Sequence, residues 1–220
     1  MKKLHLLLLF VVTACSLVVP EISILDNPVC NLPCWNGITP GQTSQPDALQ
    51  IVTSLDGIDQ KKTNVLNVPW LIFNKQIWFY LYTNPSLGGV QTDGAIYFID
   101  NKVATVILRR NIGKTFGDMV ELVGEPETII SMTLVEGGIV VLAIIPSKGV
   151  EFEFYTKSNE RFGPETQIDN VMFFNSIQYE QLLDAGMFSL GIYNANEIRK
   201  IMYQWKGYGN IEELYPPRFP

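Results

Sequence analysis

Apolar residues recur along this chain with two different periods, and each change of period falls at a recognisable stop signal. Over residues 44–55 the spacing is helical. Ala48, Val52 and Leu55 form a stripe widened by Leu49 and Ile51, as apolar positions on one helix face do. Ser44 stands at the cap, Asp47 at the capping-box position, Pro46 in the first turn, and Gly57 supplies a stop. A second helix is predicted over 116–123, capped by Thr115, with Phe116, Met119, Val120 and Val123 on one face and Gly124 and Pro126 behind it. Between and after these helices the period shortens. QIWFYLYT (76–83), AIYFID (95–100) and KVATVILR (102–109) follow the first helix, with Asp100-Asn101 as a tight turn. ETIISMTLV (127–135), GIVVLAII (138–145), GVEFEFYT (149–156) and TQIDNVMFF (166–174) follow the second, with turns at Glu136-Gly137-Gly138 and Ser147-Lys148-Gly149. The tail returns to helical spacing over 176–185, from Ser176 to a stop at Gly186. It does so again over 194–206, where Asn194 and Glu197 make a capping pair and Ile198, Ile201, Met202 and Trp205 line one face. The final GYGNIEELYPPRFP reads as extended surface chain.

Helix, strands, helix, strands is an α+β pattern, and its two passes look alike. Gly41-x-Thr43 opens the first helix and Gly113-x-Thr115 the second, 72 residues apart. The fold class expected is a tandem repeat of helix plus antiparallel sheet units with a C-terminal helical tail. The organisation expected is a signal segment at 1–14, a tether at 15–29, a first repeat at 30–110, a second at 111–175 and a helical extension at 176–220. Residues 16–29 read as tether or, alternatively, as an edge strand.

The N-terminus sets the compartment. MKKLHLLLLFVVTAC places Lys2 and Lys3 before a short apolar run and ends in Val12-Thr13-Ala14-Cys15. That is the layout of a secretory signal peptide, and its last four residues resemble a bacterial lipobox. The resemblance implies removal of residues 1–14, acylation of Cys15 and anchoring on the extracytoplasmic side of the envelope. The plainer alternative is an ordinary signal peptide with Cys15 incidental. Removal would take away His5, the single histidine, and with Lys2 and Lys3 would move the formal charge from −6 to −8. A chain of that sign repels nucleic acid and anionic membrane surfaces. Hydrophobic content of 47% with 17% charged residues argues for a packed core.

Gly-x-Thr, an amphipathic helix, Gly-x-Pro and then strands resembles the small BamE/SmpA-type lipoprotein domains of bacterial envelopes. Gly113, Thr115, Gly124 and Pro126 carry the full pattern; Gly41 and Thr43 carry its front half, without the Gly-x-Pro. Two such units in tandem are similar to the architecture of the β-lactamase inhibitor protein. The opening Cys30-x-x-x-Cys34-Trp35-x-Gly37-Ile38-x-Pro40-Gly41-x-Thr43 also resembles a group of uncharacterised bacterial lipoproteins. The resemblance spans about residues 30–175. It implies protein binding and envelope scaffolding without catalysis and without a cofactor, with a protein partner and a membrane contact through lipid on Cys15.

The residue inventory narrows the chemistry further. Without histidine, Ser-His-Asp and Cys-His sites and histidine-bearing zinc sites are excluded. Cys30 and Cys34 lack the further ligands of a tetrahedral metal site, and no metal is expected. With Cys15 assigned to lipid, they are an even pair in an oxidising compartment, and a disulfide is the economical reading, with Trp35 as the first core residue. Glu151 and Glu153 alternate with Phe152 and Phe154, which reads as a solvated face over a buried one. On 76–83, Ile77, Phe79 and Leu81 should meet the helix. Trp78, Tyr80 and Tyr82 then form a candidate binding face, unless neighbouring strands or the tail helices cover it. The function expected is a lipid-anchored binding or scaffolding module. The alternatives are a carboxylate-dependent envelope hydrolase acting on cell-wall glycan, or capture of a small ligand or sugar between the aromatic face and the tail.

Overall fold

The structure is a computed structural model that describes residue 25 and residues 30–70, 72–82, 91–110, 112–134, 137–189 and 194–217. The expected signal segment, Cys15 and all of the tether but Leu25 lie outside the described residues.

The first helix, α1 (Gln45–Ser54), is followed by β1 (Asn64–Trp70), β2 (Phe73–Tyr82), β3 (Gln91–Ile99) and β4 (Lys102–Arg109). The second, α2 (Phe116–Val123), is followed by β5 (Thr128–Thr133), β6 (Gly138–Ile145), β7 (Val150–Lys157), the short β8 (Arg161–Phe162) and β9 (Asn170–Phe174). The tail contains α3 (Tyr179–Asp184), α4 (Ala195–Lys200), β10 (Met202–Gln204), β11 (Gly209–Asn210) and α5 (Ile211–Leu214). Nine strands form one antiparallel sheet in the order β1-β2-β3-β4-β9-β7-β6-β5-β10, and β8 pairs with β11 beside it. The fold is α+β with a large antiparallel sheet.

Local chemistry places the helix starts where the sequence does. The Thr115 backbone N–H donates to Asp118 Oδ2 at 2.8 Å and the Asp118 N–H donates to Thr115 Oγ1 at 3.2 Å. This reciprocal box satisfies two N-terminal donors of α2. At α1 the Asp47 N–H donates to Ser44 Oγ at 3.4 Å. Asp100 and Asn101 both adopt positive φ, 49° and 64°, to turn β3 into β4, as a two-residue hairpin of primed type requires.

Alternation divides the sheet into two faces. On the first, Ile77 and Phe79 of β2, Phe152 and Phe154 of β7, and Val171 and Phe173 of β9 pack with Ala48 and Val52 of α1 and Phe116 and Met119 of α2. Trp35 is buried there too, stacked on Phe79 with ring centroids 5.3 Å apart. Gly94 of β3 faces that ring so closely that a Cβ would lie 2.0 Å from Phe79 Cζ, which makes glycine obligatory at this crossing. On the second face, Ile130 of β5, Leu142 and Ile144 of β6 and Phe174 of β9 pack with Leu182 and Leu183 of α3, Phe188, and Ile198 of α4.

The tail departs from the reading of 194–206 as one helix. Helix α4 ends at Lys200, and Met202–Gln204 pair with Thr128–Ile130 as an edge strand. Covering the free edge of β5 satisfies ladder groups on both sides, and the side chains switch to period 2. Met202 packs on the second face, while Tyr203 and Trp205 pack on the first. The final segment is anchored and not merely surface chain. Tyr215 is fully buried, and Ser131 Oγ donates to its carbonyl at 2.5 Å. Strand β1, which the sequence reading lacks, is the opposite edge. It carries a register shift between Asn67 and Trp70 and leaves Val65 and Leu66 exposed.

Candidate functional site

The second face carries a cavity of about 530 Å³. Sheet register builds its floor. One cross-strand row runs Arg109, Asn170, Glu153, Leu142, and the next runs Ile107, Met172, Glu151, Ile144. Met132 of β5 and Val140 of β6 extend the floor, and Met187 and Phe188 of the tail line it as well. Glu151 is therefore hemmed by Met172 on one side and Ile144 on the other.

This corrects the reading of Glu151 and Glu153 as a solvated face. Glu151 is only 4% exposed. Its neighbours on β7 do alternate, but the tail covers the side where the carboxylates point. Glu151 Oε1 is buried with no hydrogen-bond partner among the described residues. Loss of hydration, reinforced by the neighbouring Glu153, pushes the Glu151 carboxyl well above the usual carboxylate range, so the neutral acid is favoured. Glu153 is also raised by burial, but hydrogen bonds from Tyr155 and Asn170 and the charge of Arg109 oppose the shift. Asn170 Nδ2 donates to Glu153 Oε1 at 2.6 Å. Asp169 accepts from the Tyr155 backbone N–H at 2.9 Å, and burial raises its carboxyl as well.

The cations at the rim are engaged. The Arg109 guanidinium lies 5.1 Å from the centroid of the Trp78 ring, within cation–π range. Arg110 pairs with Asp93 at 3.9 Å. Two carboxyls of unequal character thus sit side by side over an apolar floor. One is favoured neutral and unpartnered; the other is held by two donors. Such a site can offer a proton or an ion-pair partner to a ligand with an apolar body.

Trp78 is half-buried against the second face and covered on one side by Arg109. Tyr80 is half-buried with Lys62 Nζ 5.4 Å from its ring centroid. The Tyr82 side chain lies outside what the structure describes. Ile77 and Phe79 meet the first-face core, as their alternation requires. Cys30 and Cys34 stand at disulfide distance, S–S 1.98 Å and Cα–Cα 5.7 Å. Among the described residues no group of three or more His, Cys, Asp or Glu side chains could hold a metal ion, and no helix is long and apolar enough to cross a membrane.

The sequence reading singled out Glu151 and Glu153 but not Arg109, Tyr155, Asp169, Asn170, Met172, Met187 or Phe188, which complete the site. Local signal existed only for Tyr155, which continues the Glu-Phe-Glu-Phe alternation. The others arrive through strand pairing and through the tail. Comparison with known proteins returns no match to a family model, to a curated protein or to a solved structure.

Proposed function

We propose that this chain is a lipid-anchored, extracytoplasmic binding module, and that it holds a small amphipathic molecule in the cavity of its second face without transforming it. The observation that carries the binding reading is the buried, unpartnered carboxyl of Glu151 on the wall of a 530 Å³ cavity. An unmet buried polar group is destabilising, and its position beside ligand-sized space gives it a use. No turnover is included, because Glu151, Glu153 and Asp169 all lie on the sheet side, on β7 and just before the adjoining β9, while Met187 and Phe188 bring no titratable group from the cover. A glycan hydrolase would need carboxyls on either side of the scissile bond.

Anchoring rests on Lys2, Lys3, the apolar run and Val12-Thr13-Ala14-Cys15. The descent from two tandem units is supported by the mirrored strand order, in which β4 and β9 meet at the centre. The residue before each helix cap is also tied alike: Thr43, before Ser44, accepts from the Val103 N–H, and Lys114, before Thr115, accepts from the Ile168 N–H, so in this register the two Gly-x-Thr triplets are offset by one residue.

Ligand-observed NMR against a library of small amphipathic compounds tests the cavity. Hits on the full chain that vanish when Val140→Trp fills the floor are expected. Hits that persist in that variant, or none with the unmodified chain, would remove the reading. Anchoring is tested by fractionation, with Cys15→Ser expected to leave the membrane pellet.

A further inference from the structure

We propose that the cavity selects organic cations, its ligand being a protonated amine carried on a small apolar body. This inference rests on the binding reading above and deepens it.

The charges around Glu151 decide the sign of the ligand. On β7 it is followed by Glu153 and Tyr155; Arg109 and Arg110 come from the end of β4, and Asp169 precedes β9. Strands β5 and β6 contribute Met132, Val140 and Leu142 to the lining, and the cover contributes Met187 and Phe188, so these elements bring no charge. Both arginines are already engaged, Arg109 with the Trp78 ring and Arg110 with Asp93. Glu153 receives Asn170 at 2.6 Å. Among the described residues, the member without a partner is the acid Glu151, 4% exposed, between Met172 and Ile144. An anionic ligand would face the carboxyls of Glu153 and Asp169 and find both arginines already engaged. A ligand that only accepts hydrogen bonds would leave Glu151 to supply its proton while Glu153 stays fixed.

An ammonium group satisfies the arrangement on both counts. Glu151 and Glu153 are two residues apart on a strand, so their Cα atoms are separated by roughly 6.6 Å on one face. An ammonium carries three donors and no acceptor, and placed between them it can reach both carboxyls. The apolar floor and the polarisable thioethers of Met172 and Met187 then meet the hydrocarbon body. A cavity of 530 Å³ suits a body of one ring and a short chain.

Pairing with an ammonium requires Glu151 to be ionised, so binding displaces its proton. The amine is itself already charged below its own high pKa. Affinity therefore rises with pH, by up to about tenfold per pH unit while Glu151 is mostly protonated, and levels off once it ionises freely.

The test is isothermal titration of the full chain with 2-phenylethylamine and its isostere 2-phenylethanol, from pH 5.5 to 8. The amine is expected to bind at least tenfold more tightly than the alcohol at pH 8, with the margin shrinking toward pH 5.5. Glu151→Gln should remove most of the margin and its rise with pH while the alcohol binds as before. Equal binding of both probes to the unmodified chain would overturn this inference and leave the cavity reading standing. A Glu151→Gln chain that keeps the margin would overturn it as well. Loss of alcohol and amine binding alike, in the unmodified chain, would take both readings down.

Discussion

The two faces of the sheet are built from the same nine strands but to different ends. The first is closed by α1, α2 and the returning tail around interlocked rings. Phe116 alone meets Phe152 at 4.9 Å, Phe162 at 5.5 Å and Trp205 at 5.4 Å. Its buried Ser131 is satisfied by the Tyr215 carbonyl. The second face is covered by the short α3 and α4, carries a cavity and, among the described residues, buries Thr105 Oγ1 and Glu151 Oε1 without partners. Among the same residues the first face also leaves Trp35 Nε1 without a partner, but that atom belongs to a ring packed in a filled aromatic stack, whereas Glu151 belongs to the lining of a ligand-sized cavity. Violations of burial rules concentrate at sites where stability is traded for use.

The contrast can be broken most forcefully by truncation. Phe116→Ala should cost about 3–5 kcal/mol, the range for deleting a buried aromatic, read from the denaturant midpoint. Met187→Ala, at a residue that lines the cavity, should cost only about 2 kcal/mol, at the low end for its class. Equal losses would mean that the faces are packed alike. Next comes the clamp that sets Trp35 on the first face. Cys30→Ser with Cys34→Ser should cost about 2 kcal/mol, because the closed loop is short, and intact-mass measurement with and without reductant checks the bond itself.

Glu151→Leu runs the other way. It should stabilise the chain by about 1–2 kcal/mol at pH 8, by removing a buried polar group that lacks a partner. The sign follows from protonation. The folded chain holds this proton more tightly than the unfolded one, so its contribution is complete below the ordinary carboxylate range and is lost as pH rises through the raised value. The advantage of Glu151→Leu over the unmodified chain should therefore widen from pH 4 to pH 8 in thermal unfolding. A constant gap would show that Glu151 ionises normally. The smallest effect belongs to Arg199, exposed on α4 and paired with Glu180 at 2.9 Å and Asp184 at 2.7 Å on α3. Arg199→Ala should speed hydrogen exchange in α3 and α4 while leaving global unfolding in place, since exposed pairs contribute little.

Legibility from the sequence follows the same division. Helix α2 was readable to the residue because Thr115, Asp118 and Gly124 encode both ends locally, and β6 because its apolar run is bounded by turns. Strand β1 was not, since Val65 and Leu66 are exposed at an edge and Pro69 argues against a strand. The apolar residues at 198–205 fit a helix on spacing, and only the open edge of β5, far away in sequence, recruits Met202–Gln204 into the sheet. The candidate site was half legible. Alternation placed both carboxylates on one side of β7, but nothing near them announces that Met187 and Phe188 will cover that side.

The tail has a consequence for the order in which the fold can be completed. After Phe174 the chain lays α3 and α4 across one face, passes around the edge as β10, and seats Trp205 and Tyr215 on the other. A chain delivered N-terminus first can pair β1 through β9 while both sides of its sheet still lack part of their cover. Closure of the two cores therefore waits on the same late segment, which ties them into one cooperative event and leaves large aromatic surfaces open until it arrives. Cutting the chain after Phe174 would not yield a smaller version of this protein but a sheet with two unfinished sides.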